Sequence, residues 1–181
     1  MSEQPKPKPY LSAAEIAAAP AVHIRHPLNP ASDVYLRSLG RPAGLRRTAL
    51  SLARVPPGRE SFIYHSHEHD EEFLLILSGR GRAEIDGEII EVGPGDFMGF
   101  PTPSVAHHLT NPYERDLVYL MGGEHSSFDI GNFPRAGKRA IFDRDRILMM
   151  EESALTPMSF DQWLPDGLPE AYSDSAPKKE A

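Results

Sequence analysis

Residues 61–92 read SFIYHSHEHDEEFLLILSGRGRAEIDGEIIEV, a run in which short apolar or alternating segments are separated by turn-forming residues. Asp86-Gly87 stands between two such segments and predicts a two-residue hairpin turn, because both central positions of that turn need a positive φ. The same pattern continues outward on both sides, over residues 45–122. Several short strands at this spacing are typical of an all-β barrel or sandwich. Two further strands are predicted at residues 138–142 and 146–150.

The segments that flank the predicted barrel differ from it in composition. Six prolines fall in the first 30 residues, together with one helical signal in which Ser12 and Glu15 form a capping box. The C-terminal end is rich in proline and charge. We therefore expect an N-terminal arm with a short helix over residues 1–44, the barrel over 45–150, and a C-terminal extension and tail over 151–181.

The composition excludes several classes of protein. The chain of 181 residues has no cysteine, which rules out disulfides, iron–sulfur clusters and cysteine zinc sites, so a metal would need His, Asp or Glu ligands. The formal net charge of −7 argues against nucleic acid as the main partner. No apolar run approaches the roughly 18 residues that span a bilayer, and the N-terminal sequence lacks the apolar stretch of a signal peptide. We expect a single-domain cytoplasmic protein with no membrane partner.

Arginines are concentrated in one part of the chain. Residues 25–59 contain seven arginines and a single acid, Asp33. Such a segment could form an anion-binding stripe. We interpret it instead as scattered arginines on solvated loops and edge strands.

Five of the eight histidines lie in two short windows, which contain His65, His67, His69, His107 and His108. The β-forming residues before the first window favour a strand, on which His65 and His67 project to the same face. A turn after His69 would bring Glu71 or Glu72 of the next strand back beside this pair. Two histidines and a carboxylate on neighbouring strands can form a half-shell for a divalent cation. The second window adds a further nitrogen if its strand folds beside the first two.

These residues carry a resemblance to the cupin superfamily. The pattern Pro57-Gly58, His65-x-His67-x4-Glu72-x6-Gly79 is similar to its first motif, and Gly95-Asp96-x4-Pro101 followed by His107-x3-Asn111 is similar to its second. The family spacing selects Glu72 rather than Glu71. Two turns depart from the family pattern: six rather than five residues separate Gly58 from His65, and Pro103 stands where the family usually has glycine, with one extra residue before the histidine.

The resemblance implies a double-stranded β-helix barrel, or jelly roll, that holds one divalent transition metal through His65, His67, Glu72 and His107. Such nitrogen and oxygen ligands suit Fe, Mn, Ni, Zn or Co, and the residues do not rank these metals. One carboxylate against a 2+ ion leaves about one net positive charge, which favours anionic ligands. The expected function is a metal-dependent enzyme of dioxygenase, isomerase or lyase type acting on a small anionic or enolisable molecule, with sugar-phosphate isomerases as the analogy. The alternative is a non-catalytic cupin that binds or senses a metabolite.

Strand alternation also predicts what surrounds the ligands. The side chains expected to face inward are Ile63, Leu74, Ile76, Val105 and Leu109. The outward face would carry Phe62, Tyr64, Phe73, Leu75 and Leu77. Because that much apolar surface must be covered, we predict a homodimer that uses this face or the N-terminal arm.

The remaining histidines are given lesser roles. His69 is expected at a solvated turn, although a rival ligand set of His67, His69 and Glu72 stays open. His108 should point away from the site by alternation. No partner stands at a recognisable spacing from the last three, which are expected to be structural or on the surface: His23, His26 and His125.

Overall fold

Antiparallel β-strands make up most of the regular secondary structure in this protein, whose computed structural model describes residues 6–159. The strands in this range are β1 (Val22–Ile24), β2 (Val34–Ser38), β3 (Thr48–Val55), β4 (Arg59–Glu60), β5 (Ser66–His67), β6 (Glu72–Ser78), β7 (Gly81–Ile85), β8 (Glu88–Val92), β9 (Phe97–Phe100), β10 (His107–Asn111), β11 (Leu117–Glu124), β12 (Phe128–Phe133), β13 (Lys138–Asp143) and β14 (Arg146–Glu151). The helices are α1 (Ala13–Ala18) and α2 (Gly40–Ala43), with 3-10 turns at Pro134–Ala136 and Glu152–Ala154. Neither helix has the length and apolar character that crossing a membrane would require.

The strands form three antiparallel sheets. The largest has the order β1-β2-β3-β11-β6-β9, and the other two have the orders β4-β10-β7-β8 and β14-β13-β12-β5. Most neighbours within a sheet are not consecutive in sequence, so the chain crosses repeatedly between sheets, as it does in a jelly roll. The predicted all-β barrel is confirmed.

One cluster of buried side chains fills the interior between the sheets. Ile76, Leu109 and Tyr119 come from three different strands, and each is 1% exposed. Burying a side chain of this size stabilises the fold by roughly 2 kcal/mol. Leu74, Ile76 and Leu109 face inward as predicted, but they belong to this packed core rather than lining an open cavity.

The segment between β4 and β5 departs from the predicted strand. Residues 61–65 are irregular, so side-chain alternation does not apply to them. Phe62 packs against the main core instead of facing outward, and Ile63 joins a second cluster with Phe133 and Ala140. Val105, predicted to face inward, is 45% exposed because it lies in the connection before β10 rather than on a strand.

The local sequence signals are confirmed. The Ser12 side chain accepts a hydrogen bond from the Glu15 amide, and the Glu15 carboxylate accepts one from the Ser12 amide at the start of α1. Asp86 and Gly87 have φ of 51° and 82°, as the hairpin turn requires. β13 and β14 form where two further strands were predicted.

The two ends of the chain add to what the sequence predicted. The segment assigned to the arm also contributes β1 and β2, which extend the largest sheet beyond β3. Most of the tail predicted over 151–181 lies outside the described residues.

The outer face of the largest sheet is apolar in part. Phe73 and Leu75 are half-buried, whereas Leu77 is 45% and Phe97 is 64% exposed. The Phe97 ring stacks on the Phe73 ring with their centroids 6.1 Å apart. The homodimer that would cover this face stays a prediction.

Two glycines with similar backbone angles provide a test of the packing at the end of β6. Gly79 has φ of 80°, and a Cβ there would lie 2.1 Å from the carbonyl oxygen of Asp116, whereas Gly87 has φ of 82° and open space around it. Gly87→Ala should lower the free energy of unfolding by about 1 kcal/mol through backbone strain alone. Gly79→Ala should cost about 1–3 kcal/mol more, because β11 must also shift. Urea unfolding measures both, and equal losses would contradict the packing described.

Candidate metal centre

Three separate strands and one irregular segment bring the four candidate ligands together. His107 begins β10, His67 ends β5, and Glu72 begins β6. His65 precedes β5 and forms an isolated bridge with His107, in which each backbone amide donates to the other's carbonyl, at 3.1 and 2.8 Å. The two histidine windows therefore meet through the backbone.

The imidazoles converge on one carboxylate oxygen. Oε2 of Glu72 lies 3.3 Å from Nε2 of His107, 3.5 Å from that of His67 and 3.8 Å from that of His65. Ligand atoms of His65, His67 and Glu72 all lie within 4.8 Å of one another, the only such group of potential ligands within residues 6–159. His107 is not in this compact trio, although its Nε2 is the nearest of the three to Glu72.

The Nδ1 atoms of His65 and His107, which face away from Glu72, each lie within hydrogen-bonding distance of a backbone carbonyl oxygen. Nδ1 of His65 lies 2.7 Å from the carbonyl oxygen of Ile63, and Nδ1 of His107 lies 3.0 Å from that of Val105. Because a carbonyl oxygen can only accept, both Nδ1 atoms carry the proton and donate it. Each Nε2 then presents a lone pair toward Glu72, as metal-binding histidines do.

Asp129, which sequence reasoning missed, orients the third imidazole. Its Oδ2 contacts Nδ1 of His67, while its Oδ1 accepts hydrogen bonds from the amides of His69 and Asp70 at 2.9 and 3.3 Å. Although burial opposes ionisation, the bond to His67 and the backbone amides lower the pKa of Asp129 to about 2. No local signal marks this residue, because it reaches the site only when β12 pairs with β5.

The protonation states of His65 and Glu72 suit a cation site, whereas His67 would have to release a proton before it could bind a metal ion. Burial lowers the pKa of His65 to about 4. Burial also opposes the charged form of His67, but the hydrogen bond to Asp129 and the charge of Glu72 outweigh it and raise the pKa of His67. For Glu72, burial favours the protonated carboxyl, yet the neighbouring side chains of His107 and His67 lower its pKa. A neutral imidazole and an ionised carboxylate are the forms that bind metal ions.

Aromatic side chains and an open cavity border the ligands. The Phe100 ring stacks on the His107 imidazole with centroids 3.5 Å apart and an interplanar angle of 5°. A cavity of about 460 Å³ reaches Glu72 between Phe100 and Gly123. Glu72 therefore borders a space of the size that small molecules occupy.

The other histidines of the two windows lie apart from this cluster. The His69 ring lies near Phe128, 5.9 Å between centroids, and the compact trio does not include it. His108 is buried on the opposite side of β10, between the carboxylates of Glu60 and Glu84 at 3.8 and 3.6 Å. This placement agrees with its predicted outward direction.

Comparisons with known proteins agree with this architecture. The sequence model of the Cupin_2 family, cupin domain, matches residues 51–123. No curated protein sequence gives a significant match. The similar solved structures include one from Acidithiobacillus ferrooxidans titled "Putative sugar phosphate isomerase", with 32% identity, a TM-score of 0.81, and coverage of 84% of this chain and 97% of that one.

A second solved structure shares the fold at lower sequence identity. It is a sugar phosphate isomerase from a cupin superfamily, from Silicibacter pomeroyi, with 21% identity and a TM-score of 0.72. The alignment covers 84% of this chain and 98% of that chain. The family match, the 32% identity over most of the chain and the shared fold show that this protein belongs to the cupin superfamily.

Proposed function

We propose that this cupin holds one divalent transition metal through His65, His67, Glu72 and His107, and that it is a metal-dependent enzyme acting on a small anionic or enolisable molecule. The observation that carries the proposal is the convergence of three imidazole Nε2 atoms on Oε2 of Glu72. Burying such a set of polar groups is costly unless they are paired or coordinate a cation.

The ligand set favours an anionic substrate. Three neutral imidazoles and one carboxylate around a 2+ ion leave about one net positive charge. A divalent ion bound there would polarise an oxygen atom of the substrate as a Lewis acid. The Phe100 ring stacks on the His107 imidazole and also lines the cavity that Glu72 borders, so we place the substrate in this cavity.

Isomerase chemistry is the reaction type with the most support. The relative at 32% identity carries the name of a sugar phosphate isomerase. A sugar phosphate is both anionic and enolisable, which are the two properties that the ligand set favours. Fe, Mn, Ni, Zn and Co all suit these ligands, and no side chain is assigned as general base.

Metal content tests the ligand set. Protein purified without added metal should carry about one equivalent of transition metal, and His67→Ala should retain less than about a tenth of it, since the site loses a ligand. Elemental analysis measures both. His23→Ala is the matched control, because that imidazole pairs with Asp33 away from the site.

A further variant separates the two ligand sets. His69→Ala should keep its metal, and losing it would favour the set of His67, His69 and Glu72. Full metal content in His67→Ala would contradict both sets.

The role of Asp129 gives a second test. Asp129→Asn should weaken metal affinity about 10–100-fold, the usual effect of losing the partner that orients a ligating histidine. The asparagine side chain cannot accept hydrogen bonds from both His67 and the backbone amide of His69, because its NH2 group is a donor. Competition with a chelator measures the affinity. Asp116→Asn, which removes a carboxylate paired with Arg54 elsewhere, should leave it unchanged.

Turnover can be tested without knowing the substrate in advance. Metal-loaded protein is incubated in deuterated water with a panel of aldose and ketose phosphates, and proton NMR follows each compound. At least one should exchange the hydrogen next to its carbonyl and convert to its isomer, and His67→Ala should catalyse neither. Binding without exchange or conversion across the panel would favour the non-catalytic alternative.

A further inference from the structure

A second cavity lies on the interior face of the largest sheet. It occupies about 590 Å³ between the N-terminal arm at Lys6 and Pro7, helix α2 and the first half of β3. This volume is in the range of small-molecule sites. Leu36 of β2 packs against the core, so Ser38 on the same strand and its partner Ser51 project to the same interior side and line the cavity.

The lining of this cavity is cationic. Its lining includes Lys6, Arg41 and Arg46, and we therefore call it the cationic cavity. Nη2 of Arg41 lies 3.3 Å from Nε2 of His125, another lining residue. Within residues 6–159, no Asp or Glu lines the cationic cavity. No carboxylate in this range forms an ion pair with Lys6, Arg41 or Arg46. Arg54, farther along β3, does have a carboxylate at 3.2 Å. Positive charge is therefore gathered here without internal neutralisation, in a chain with a net charge of −7.

Backbone contacts hold the walls of the cationic cavity in place. The amide of Lys8 donates to the carbonyl of Pro42, which ties the arm to α2, and the amide of His125 donates to the carbonyl of Arg47, both at 2.9 Å. Gly44 ends α2 with φ of 94°, and a Cβ there would lie 2.9 Å from a side-chain carbon of Pro7. The cationic groups are thus carried by segments that are fixed to one another.

The donors match a phosphate better than a carboxylate. Besides the cations, the hydroxyls of Ser38 and Ser51 line the cavity, and neither of them hydrogen-bonds to another side chain within residues 6–159. A guanidinium offers a planar fork of donors that suits phosphate oxygens. Three full positive charges exceed what a single carboxylate needs, whereas a phosphomonoester carries about −1.5 to −2 charges near neutral pH.

The register of the strands connects this cavity to the proposed ligand set. Ala49 on β3 pairs with Gly123 on β11, and Gly123 pairs with Glu72 on β6. These three residues form one row across three neighbouring strands. Ala49 is therefore two interstrand spacings, roughly 10 Å, from Glu72. Glycine and alanine leave the surface between the two places free of large side chains.

We propose that the cationic cavity binds the phosphate group of a phosphomonoester whose other end reaches Glu72 and its neighbouring histidines. The phosphate is held by Arg41 and Arg46, with Lys6 and the hydroxyls completing its contacts. This deepens the proposed function and rests on it for the second end of the molecule. Phosphate binding by the cavity itself does not require a metal.

Inorganic phosphate is the probe, with acetate as the carboxylate comparison, and isothermal titration calorimetry of the full-length chain measures both at low ionic strength. Phosphate should bind more tightly than acetate. Arg41→Gln and Arg46→Gln should each weaken phosphate binding about tenfold or more, as expected for losing a charged donor. Arg146→Gln is the control, because it removes the same charge from an exposed strand and should have no effect. In His67→Ala, phosphate binding should persist.

The outcomes separate this inference from the proposed function. The inference would be overturned if the wild type showed no saturable phosphate binding, or if it bound acetate as tightly as phosphate. It would also be overturned if the Arg41 and Arg46 variants bound phosphate as tightly as the wild type, or if Arg146→Gln lost as much affinity as they do. Loss in His67→Ala alone would mean that phosphate binds the metal, which overturns the inference and leaves the ligand set standing. If the purified protein carries no metal but the Arg41 and Arg46 variants still lose phosphate affinity, the proposed function is contradicted and the phosphate site stands.

A measurement on unaltered protein guards against misfolded variants. In nitrogen-15 NMR spectra of the wild type, phosphate should shift the amide signals of Gly44 and Arg46. The amide of Arg146 should not move. Unchanged Gly44 and Arg46 signals at saturating phosphate would overturn the inference whatever the variants do.

Discussion

The pair of backbone hydrogen bonds between His65 and His107 is the contact on which the candidate site depends. It joins an irregular segment to β10 and so brings together two histidine windows that are far apart in the sequence. Glu72 completes the cluster from β6, whose pairing with β9 and β11 fixes its position. The bridge therefore holds His65 beside His107, while His67 and Glu72 are held by the pairing of β5 with β12 and of β6 with β9 and β11.

The three imidazoles are oriented by two different physical means. His65 and His107 each donate from Nδ1 to the carbonyl of the residue two positions earlier, so the backbone beside each ring sets its direction. His67 has a distant partner, Asp129, which also binds the two amides of the following turn. Because β12 carries Asp129, the third ring is correctly directed only after that sheet has assembled.

Positive charge is concentrated at one cavity of a chain whose net charge is negative. The net charge is −7, yet Arg41 and Arg46 line one cavity without a carboxylate partner within residues 6–159. The sequence was interpreted as scattered arginines on solvated loops, and this holds for Arg25 and Arg59, which lie near the carboxylate of Asp33. Arg41 and Arg46 are exposed as well, but the fold of the arm and α2 over β3 brings them to one cavity although their spacing in the sequence has no period.

The sequence by itself determined the class of fold, the hairpin at Asp86-Gly87 and the candidate ligands, because strand alternation, turn chemistry and motif spacing are local properties that a linear pattern records. It did not predict the irregular segment 61–65, the inward packing of Phe62 or the exposure of Val105, since each depends on where a strand is interrupted by contacts with other strands. Asp129 and the cationic cavity were decided by the tertiary structure alone. Their groups meet only through strand register and packing, which the whole chain sets together.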